Sequence, residues 1–367
     1  MIPKTLLFGI VLALAAPMAL AAENQAPVVS NVTVSQREPC RGVFDILYDL
    51  ADPDDAVCNV YVRYSRDGGA TWNTAAHTSG DFGLGVACGT AKHVEWDLGK
   101  SAPGLVCQNV KIRVVADDGH DLVPMCFVPA GRFMTSSGVA VYMDDYWIDT
   151  YEVTNEFYCM FLNAGGNDDH YHTDMQAEIE ITGPSGNYVY HPVTGFEKRP
   201  VRWVTWYDAA HFCDWRSVAE GLPAGSYKLP TEAQWEKAAG WGTPTRQSLW
   251  PYAFQSESID CTKANYACGA GQAGHTTDVG SYLLWKSWYG CYDMSGNILE
   301  WCSDWYGAGY PSSTSNPTGP TTGAYRVLRG GSWDGNASTC RADYRVNYYL
   351  APSFVGSGDG FRCARTP

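Results

Sequence analysis

The residues of this 367-residue sequence that are most able to take part in chemistry are its 13 cysteines and those of one short segment rich in metal-ligand types. That segment, residues 167–174, reads NDDHYHTD, and its two histidines, His170 and His172, lie two residues apart. We interpret it as a solvated loop rather than as a metal site. The sequence contains no GxGxxG, phosphate-loop, GxSxG or HExxH motif, so it lacks the common short motifs of nucleotide-binding proteins, hydrolases and zinc proteases.

We interpret the cysteines as residues that form disulfides. Lys4 precedes an apolar stretch at residues 6–20, and Ala19-Leu20-Ala21 is typical of a signal-peptide cleavage site. We therefore predict a signal peptide over residues 1–21 and an exported protein, either periplasmic or extracellular. Export favours disulfides, and the sequence contains no CxxC motif and no zinc-ligand spacing. The odd cysteine count leaves at least one thiol free or paired between chains.

The charge balance excludes one class of partner. The sequence has 25 basic and 39 acidic residues, which gives a formal net charge of −14 at pH 7. A surface this acidic repels phosphate backbones, so we expect no nucleic-acid partner. No stretch after the signal peptide is long and apolar enough to predict a transmembrane segment.

Residues 27–120 predict an all-β module. The runs VYVRY at 60–64 and VKIRVV at 110–115 alternate with the period of a strand, and Asp67-Gly68-Gly69 is a tight-turn signal. Strands at this spacing fit a small β-sandwich of the immunoglobulin or fibronectin type III style. Four cysteines could give the module two disulfides, with the connectivity left open: Cys40, Cys58, Cys88 and Cys107.

The rest of the chain, residues 122–367, contains three helix starts in a turn-rich background. Thr154 and Thr205 are candidate N-caps, and Thr231 with Gln234 forms a capping-box pattern that opens a helix ending at Gly240. Elsewhere in this part glycine, tryptophan and asparagine are frequent. The pattern predicts an irregular α+β domain.

This second part resembles the formylglycine-generating enzyme (sulfatase-modifying factor) family. The matching motifs, in chain order, are MCFVPAGRF (125–133), DTYEVTN (149–155), PVRWVTWYDAA (200–210), LPTEAQWE (229–236), YDMSGNILEW (292–301), RGGSW (329–333) and GFR (360–362). The resemblance implies a C-type-lectin-like fold. The whole chain is therefore predicted to be an all-β sandwich followed by an irregular α+β domain of formylglycine-generating-enzyme type.

The resemblance also identifies where the family's chemistry would lie. Enzymes of the family oxidise a substrate cysteine to formylglycine, using copper held by two cysteines just beyond the Gly-Gly-Ser motif. The aligned positions here are Gly335 and Cys340, and Leu299 takes the position of an active-site tryptophan. Ser332 is retained. Because Cu(I) is held well by two thiolates and poorly by one, we expect no bound copper.

Two interpretations of these residues remain open. Cys340 and Ser332 are the candidate catalytic residues if the chain is a sulfatase-modifying oxidoreductase. Otherwise Cys340 forms a disulfide, for which Cys302 is the expected partner.

The resemblance further implies a structural calcium ion. Asp293, the carbonyl groups of Gly296 and Ile298, and Glu300 match the second calcium site of the family. Oxygen ligands of this kind suit Ca²⁺. The alternative is a turn whose buried carboxylate is satisfied by hydrogen bonds.

Two disulfides are also expected in this part of the chain. Cys213, in the central helix, and Cys363, directly after the Gly-Phe-Arg motif, occupy positions that the family pairs in a disulfide. Cys261 and Cys268 lie seven residues apart and are expected to close a local loop.

The segment 334–360 has an unusual composition. It contains no Lys, Glu, Gln, Met or Trp, which are the five residue types that NNY codons cannot encode. It resembles the C-terminal variable region of diversity-generating-retroelement proteins, which display ligand-binding side chains on the same fold. The candidate ligand-binding residues are Asn336, Asn347, Tyr348, Tyr349 and Phe354, which are types suited to adaptable recognition. The alternative is ordinary Gly/Tyr-rich family sequence.

Together these observations predict an exported two-domain protein. We expect its second domain to be a non-catalytic or altered family member that binds a protein, peptide or glycan ligand. The alternatives are the sulfatase-modifying oxidoreductase and a structural envelope protein.

Overall fold

The computed structural model describes residues 27–37, 42–53, 56–65, 73–75, 77–101, 110–117, 123–164, 167–242, 248–267, 275–346 and 350–366. Several predicted features fall outside the described residues: the signal peptide, Cys40, Cys107, Cys268, and the candidate ligand residues Asn347, Tyr348 and Tyr349.

The first part of the chain forms two antiparallel sheets and one short helix, α1 (Leu98–Ser101). Its strands are β1 (Val28–Gln36), β2 (Val43–Ala51), β3 (Val57–Ser65), β4 (Asn73–Thr74), β5 (Thr78–Gly80), β6 (Gly83–Ala87), β7 (Gly89–Asp97) and β8 (Lys111–Asp117). One sheet has the order β1-β2-β7-β5. In the other, β3 pairs with β4, β6 and β8.

Alternating side chains of the two sheets share one hydrophobic cluster. Ile46 and Tyr48 of β2 and Trp96 of β7 pack there with Val60 and Val62 of β3. This burial explains the period-2 pattern of the sequence, because every second residue of a strand points to the same face. The assignment to the immunoglobulin or fibronectin type III class stays a prediction.

The second part contains short strands and three longer helices. The strands are β9 (Met125–Val128), β10 (Gly131–Met134), β11 (Ala140–Met143), β12 (Tyr146–Asp149), β13 (Ile179–Thr182), β14 (Val189–Pro192), β15 (Tyr227–Lys228), β16 (Leu299–Trp305), β17 (Arg326–Arg329), β18 (Asp359–Gly360) and β19 (Ala364–Arg365). The helices are α2 (Asn155–Asn163), α3 (Trp206–Ala219) and α4 (Glu232–Gly240), with 3-10 turns at Asp168–His170 and Thr173–Ala177.

The three predicted helix starts are confirmed. The hydroxyl of Thr154 accepts from the backbone N–H of Phe157 at the start of α2. Thr205 opens α3, and Thr231 opens α4 with the reciprocal bonds of a capping box to Gln234. These side chains satisfy backbone N–H groups that the first turn of a helix leaves without partners.

Two sheets position the candidate site. One has the order β15-β19-β12-β9, and the other has the order β17-β16-β18, in which β16 and β18 run parallel. β17 leads directly into the Gly-Gly-Ser motif, and β18 precedes the Gly-Phe-Arg motif. The pairing of β16 with both strands therefore holds these two motifs on either side of β16.

The two parts of the chain touch each other. Arg63 of β3 forms a buried ion pair with Asp145, which precedes β12. The ring of Tyr61 packs against Phe127 and Trp147, with centroids 5.1 and 5.4 Å away. No helix in the described ranges is long and apolar enough to cross a membrane.

Candidate functional site

The Gly-Gly-Ser turn after β17 depends on its glycines. Gly330 and Gly331 have φ angles of 97° and 78°, in the left-handed region that favours glycine. A Cβ on Gly331 would lie 2.8 Å from the Cα and Sγ atoms of Cys340. The turn therefore packs directly on Cys340, and no larger residue fits at Gly331.

Cys340 is buried and has the properties of a structural thiol. It packs with Tyr252, Phe254 and Tyr266 in one hydrophobic cluster. Burial raises the pKa of its thiol to about 12. Because the thiolate is the form that binds metals and attacks electrophiles, this environment disfavours both reactions. At the other aligned position, Gly335 has no side chain, and a Cβ there would meet Thr339 Oγ1 at 2.7 Å.

The predicted bond between Cys302 and Cys340 is wrong. Both residues are free cysteines. Cys302 lies on β16 and packs in a separate cluster that includes Val128 and Trp235. The alternation of β16 directs it into that core, away from the aromatic cluster around Cys340.

The hydroxyl group of Ser332 is hydrogen-bonded to a neighbouring carboxylate. Its hydroxyl donates to Asp334 Oδ1 at 2.5 Å, and its carbonyl accepts from the N–H of Gly335 at 2.9 Å. Gly358 passes beside it, since a Cβ on that glycine would lie 3.3 Å from Ser332 Oγ and 3.7 Å from Asp334 Oδ1. Leu299, at the position of the family's active-site tryptophan, is buried in the core.

A second carboxylate, that of Asp359 on β18, lies next to this pair. Asp359 is 3% exposed, and its Oδ2 atom has no hydrogen-bond partner among the described residues. Burial, together with the negative charge of Asp334, raises the pKa of Asp359 to about 7. No local sequence pattern marks either aspartate, because their positions depend on the long-range pairing of β16 with both β17 and β18.

An arginine between two tryptophans borders the same surface. The Arg202 guanidinium lies 4.0 Å from the Trp203 ring and 5.8 Å from the Trp333 ring. It donates to Glu178 Oε1 at 2.6 Å and to the carbonyl of Ser357 at 3.2 Å. Trp203 has a φ of 58°, which is a strained conformation for a bulky side chain. Such strain persists where surrounding contacts enforce it, often at functional sites.

Two of the predicted ligand-binding residues are among the described residues. Phe354 is 42% exposed and lies beside Gly356, whose Cβ would meet its ring at 2.8 Å. The side-chain oxygen of Asn336 accepts from the N–H and hydroxyl of Ser338, so this oxygen stabilises a local turn. Both residues are exposed on the segment after the Gly-Gly-Ser motif.

The predicted calcium residues are engaged within the protein. Arg362 donates to both carboxylate oxygens of Glu300. Asp293 Oδ2 accepts from the N–H of Gly280 at 2.6 Å, and burial raises the pKa of Asp293 to about 6. The carbonyl of Gly296 accepts from the N–H of Ile298.

This geometry does not fit a calcium ion held by Asp293, Gly296, Ile298 and Glu300, because the Glu300 carboxylate is already paired. Across the described ranges, no group of three His, Cys, Asp or Glu side chains could hold a metal ion. The arrangement instead has the features of the alternative interpretation, a hydrogen-bonded turn. Calcium stays a prediction that this structure does not support.

A family-motif glutamate supports that turn. Glu152 Oε2 accepts from the side-chain amide of Asn297 at 2.7 Å. Asn297 has a φ of 64° and also bonds Asn265 and Thr277. Glu152 thus links the segment before α2 to the turn before β16. This contact could not be predicted from its position in the DTYEVTN motif.

The segment 167–174 is partly exposed, and its two histidines attach it to α3. His170 Nδ1 lies 2.8 Å from Asp208 Oδ1, and His172 Nε2 lies 2.7 Å from Asp208 Oδ2. Asp208 also caps α3 through Thr205. The two histidines therefore dock the segment on the first turn of α3, because each ring reaches a different oxygen of one carboxylate.

Two pairs of cysteines among the described residues have their sulfur atoms in contact. Cys213 Sγ is 3.4 Å from Cys363 Sγ, and both are buried. Cys58 and Cys88 have their sulfur atoms 3.8 Å apart. The disulfide between Cys213 and Cys363 stays a prediction, and the contact of the two sulfur atoms is compatible with it.

An irregular, mostly β domain, in which β16 pairs with the strand that leads into the Gly-Gly-Ser motif and with the strand that begins the Gly-Phe-Arg motif, is of the sulfatase-modifying-factor type. The family described as the sulfatase-modifying factor enzyme 1-like domain matches residues 113–367. The chain belongs to this family, as its motifs predict.

The curated relatives have different names. The chain is 34% identical to serine/threonine-protein kinase Pkn1 of Chlamydia trachomatis over 66% of its own length and 38% of the relative. It is 36% identical to the formylglycine-generating enzyme of Streptomyces coelicolor over 47% of its length and 54% of the enzyme. The chain thus spans about two fifths of the length of the Pkn1 relative and about half of the enzyme.

Solved structures share the fold. Treponema denticola variable protein 1 is 26% identical, with a TM-score of 0.50, over 66% of this chain and 95% of that one. PvdO from Pseudomonas aeruginosa is 23% identical, with a TM-score of 0.50, over 67% of this chain and 95% of that one.

Proposed function

We propose that this protein is an exported, ligand-binding member of the family that does not oxidise cysteine to formylglycine. The observation that carries the proposal is the state of the two aligned copper positions. Gly335 offers no ligand, and the thiol of Cys340 is buried under Gly331 with its pKa raised to about 12. A Cu(I) ion needs soft thiolate ligands, and this arrangement offers no accessible one at either position.

The surroundings of the site support recognition instead. Arg202, Trp203 and Trp333 form an aromatic and cationic cluster, which is the side-chain chemistry common in binding hot spots. The backbone strain at Trp203 is compatible with a residue whose position is set by function rather than by stability. Phe354 is exposed on the segment with the composition bias, and it lies next to Gly356, whose carbonyl accepts from the N–H of Trp203 at 3.2 Å.

The segment 334–359 is the proposed binding surface, and its sequence could vary between copies of the gene. The likeness to a Treponema denticola protein whose name includes the word variable supports this part of the proposal. The ligand is a protein, peptide or glycan. The first module, in this proposal, is an immunoglobulin-like sandwich that acts as a spacer or docking unit.

A binding experiment tests the proposal. The purified mature protein is applied to arrays of peptides and glycans, and any captured ligand is titrated against the variants Trp203→Ala and Trp333→Ala. We expect both variants to weaken capture while melting temperatures stay close to that of the parent protein.

Trp288→Ala is the matched control, because Trp288 is half exposed and does not belong to the cluster. The proposed surface would be wrong if ligands bind all three variants equally well. Capture by the first module alone would assign the function to that module.

A further inference from the structure

We propose that the cavity between α3, β15 and the start of β17 binds a carboxylate with an apolar body, held by Arg326. Such a group is found in a small organic acid and in the C-terminal residue of a peptide. The inference goes beyond the proposed binding function, because none of the described residues of segment 334–359 lines this cavity. The two can therefore be tested separately.

The cavity is open and has apolar walls. Its volume is about 270 Å³, and Trp206 and Ala210 of α3 line it together with Leu229, which directly follows β15. Asp214 and Lys228 also line it and are exposed, so the cavity opens to the surface. A second cavity of about 400 Å³ shares Lys228 and Leu229 with it. Together they have the size of a small-molecule site, roughly 300–1,000 Å³.

Arg326 places a guanidinium group in this cavity. Its Cζ atom lies 3.7 Å from the ring centroid of Trp206 and 3.5 Å from that of Trp305, so the group is held between two indole rings. Its Nη1 atom donates to the carbonyl of Ser303 at 2.6 Å. Among the described residues, neither Nε nor Nη2 has an acceptor. Nε is fully buried and Nη2 is not, so Nη2 is the donor that a ligand can reach.

The charge of Arg326 is poorly compensated. It forms no ion pair with any carboxylate in the described part of the chain. Burial lowers the pKa of Arg326, although the negative charges of Tyr207 and Asp304 act in the opposite direction. Removing a charged group from water without a partner is costly. A ligand carboxylate beside the guanidinium would offset this cost, since charge-assisted hydrogen bonds are short and strong.

The lining of the cavity is positive although the protein is acidic. The described lining residues include two cations, Arg326 and Lys228, and one anion, Asp214, whereas the whole chain has a formal net charge of −14. Lys228 forms no ion pair within the described ranges. Local charge of this sign attracts anionic ligands.

One guanidinium between apolar walls fits a carboxylate better than a phosphate group. A phosphate monoester carries a charge of about −1.5 to −2 at pH 7, which Arg326 alone does not neutralise. A purely inorganic anion would leave the walls formed by Trp206, Ala210 and Leu229 without contacts. A neutral apolar ligand would leave the guanidinium unpaired. The combination therefore favours a ligand with one carboxylate and an apolar body.

The test is isothermal titration calorimetry of the purified protein with phenylacetate, with uncharged phenylacetamide as the matched control ligand. We expect saturable binding of phenylacetate, at least about tenfold tighter than that of phenylacetamide. Arg326→Gln should weaken phenylacetate binding by about tenfold or more, because it removes the charged donor. Arg132→Gln removes an exposed cation of β10 outside the cavity and should leave the affinity unchanged.

A second pair of ligands distinguishes the two sources of the carboxylate. N-acetyl-glycyl-phenylalanine has a peptide C-terminus, and its C-terminal amide is the neutral control. Tighter binding of this peptide acid than of phenylacetate would identify a peptide C-terminus as the ligand. The reverse order would identify a small organic acid. Both results support a carboxylate site at Arg326, provided that the amide binds at least about tenfold more weakly than the acid.

Ala210→Phe decides the matter if Arg326→Gln does not fold. Ala210 is partly buried and lines the cavity, so a phenyl ring there would occupy the space while Arg326 stays in place. We expect this variant to lose phenylacetate binding. Unchanged affinity in Ala210→Phe, or equal binding of phenylacetate and phenylacetamide by the parent protein, would overturn the site. So would the absence of saturable binding of both acids, or tighter binding of phenyl phosphate than of phenylacetate.

Discussion

Arg362 donates to both carboxylate oxygens of Glu300, at 2.6 and 2.8 Å, and both side chains are fully buried. The pair ties the Gly-Phe-Arg motif to β16, and the indole N–H of Trp235 adds a third bond to the same carboxylate. Opposite charges at this distance neutralise each other. The Arg362 guanidinium therefore compensates the negative charge of Glu300, which the calcium prediction assigned to a metal ion.

Removing one partner of this pair should destabilise the protein strongly. Glu300→Gln leaves the Arg362 charge buried and uncompensated, which typically costs about 3–5 kcal/mol. Denaturant unfolding of the purified protein measures the loss. The control is Arg341→Gln, which breaks a partly exposed pair with Asp343 and should cost less than about 1 kcal/mol. Equal losses in the two variants would contradict the importance of the buried pair.

Chelation provides a separate test of the calcium prediction. Because Arg362 already satisfies Glu300, we expect the melting temperature to stay the same with a calcium chelator and with added calcium. A ligand that binds only the folded state would raise the melting temperature by mass action. A chelator-dependent decrease that Asp293→Asn abolishes would show that the metal displaces Arg362 and that the calcium prediction is correct.

The docking of His172 on Asp208 predicts a pH dependence of stability. The hydrogen bond from the His172 ring to the Asp208 carboxylate raises the pKa of His172. The stability that His172 contributes is therefore present below its unfolded pKa and is lost as the pH rises through the folded pKa. Burial favours a higher pKa for Asp208, but bonds from His172, Thr205 and His170 lower it overall. Its contribution is therefore lost as the pH falls through that lowered value. The His172–Asp208 pair therefore stabilises the fold most at pH values between the lowered pKa of Asp208 and the raised pKa of His172.

His172→Gln checks this directly. We expect its free energy of unfolding to fall below that of the parent at about pH 5.5 and to approach the parent value well above the ordinary histidine pKa of about 6.5. His191→Gln, on the exposed edge of β14, is the control and should show no such trend. A constant difference between parent and His172→Gln across this range would contradict the linkage.

The buried sulfur contact predicts a disulfide between Cys213 and Cys363. Peptide mapping without reduction should recover the two segments joined, and Cys58 with Cys88 should behave likewise because their sulfur atoms are also in contact. Removing a native disulfide from an exported domain typically costs about 2–5 kcal/mol. Recovery of Cys213 or Cys363 as a free thiol would end this prediction.

The predictions that succeeded rest on local or motif-level signals. Thr205 and Thr231 could be recognised as caps because their partners lie three residues away in the sequence. The family followed from motifs in a fixed order. Neither inference needs knowledge of which distant segments meet.

The Cys302–Cys340 prediction failed, and other contacts were not predicted, because they depend on segments that are distant in the sequence. Cys302 and Cys340 lie in different clusters because strand alternation and the Gly331 turn decide their directions. His170 and His172 reach Asp208 only because the segment folds back on α3. Asp359 lies opposite Leu299 through the parallel pairing of β16 and β18, which no local pattern encodes.

The central claim is that the protein binds a ligand and performs no cysteine oxidation, and one assay tests it most directly. A peptide containing a C-x-P-x-R segment is incubated with the purified protein, copper, oxygen and a thiol reductant, and its mass is measured. We include the double variant Gly335→Cys with Thr339→Ala, because Thr339 Oγ1 crowds a side chain at position 335. The single variant Thr339→Ala serves as its control.

The account predicts no aldehyde product from the parent protein with or without copper, and no copper uptake by either the parent or Thr339→Ala. Copper uptake by the double variant alone would show that the site lost one ligand and kept its pocket. An aldehyde-bearing peptide produced by the parent protein, and lost in Cys340→Ala, would contradict the account and identify the chain as an oxidase.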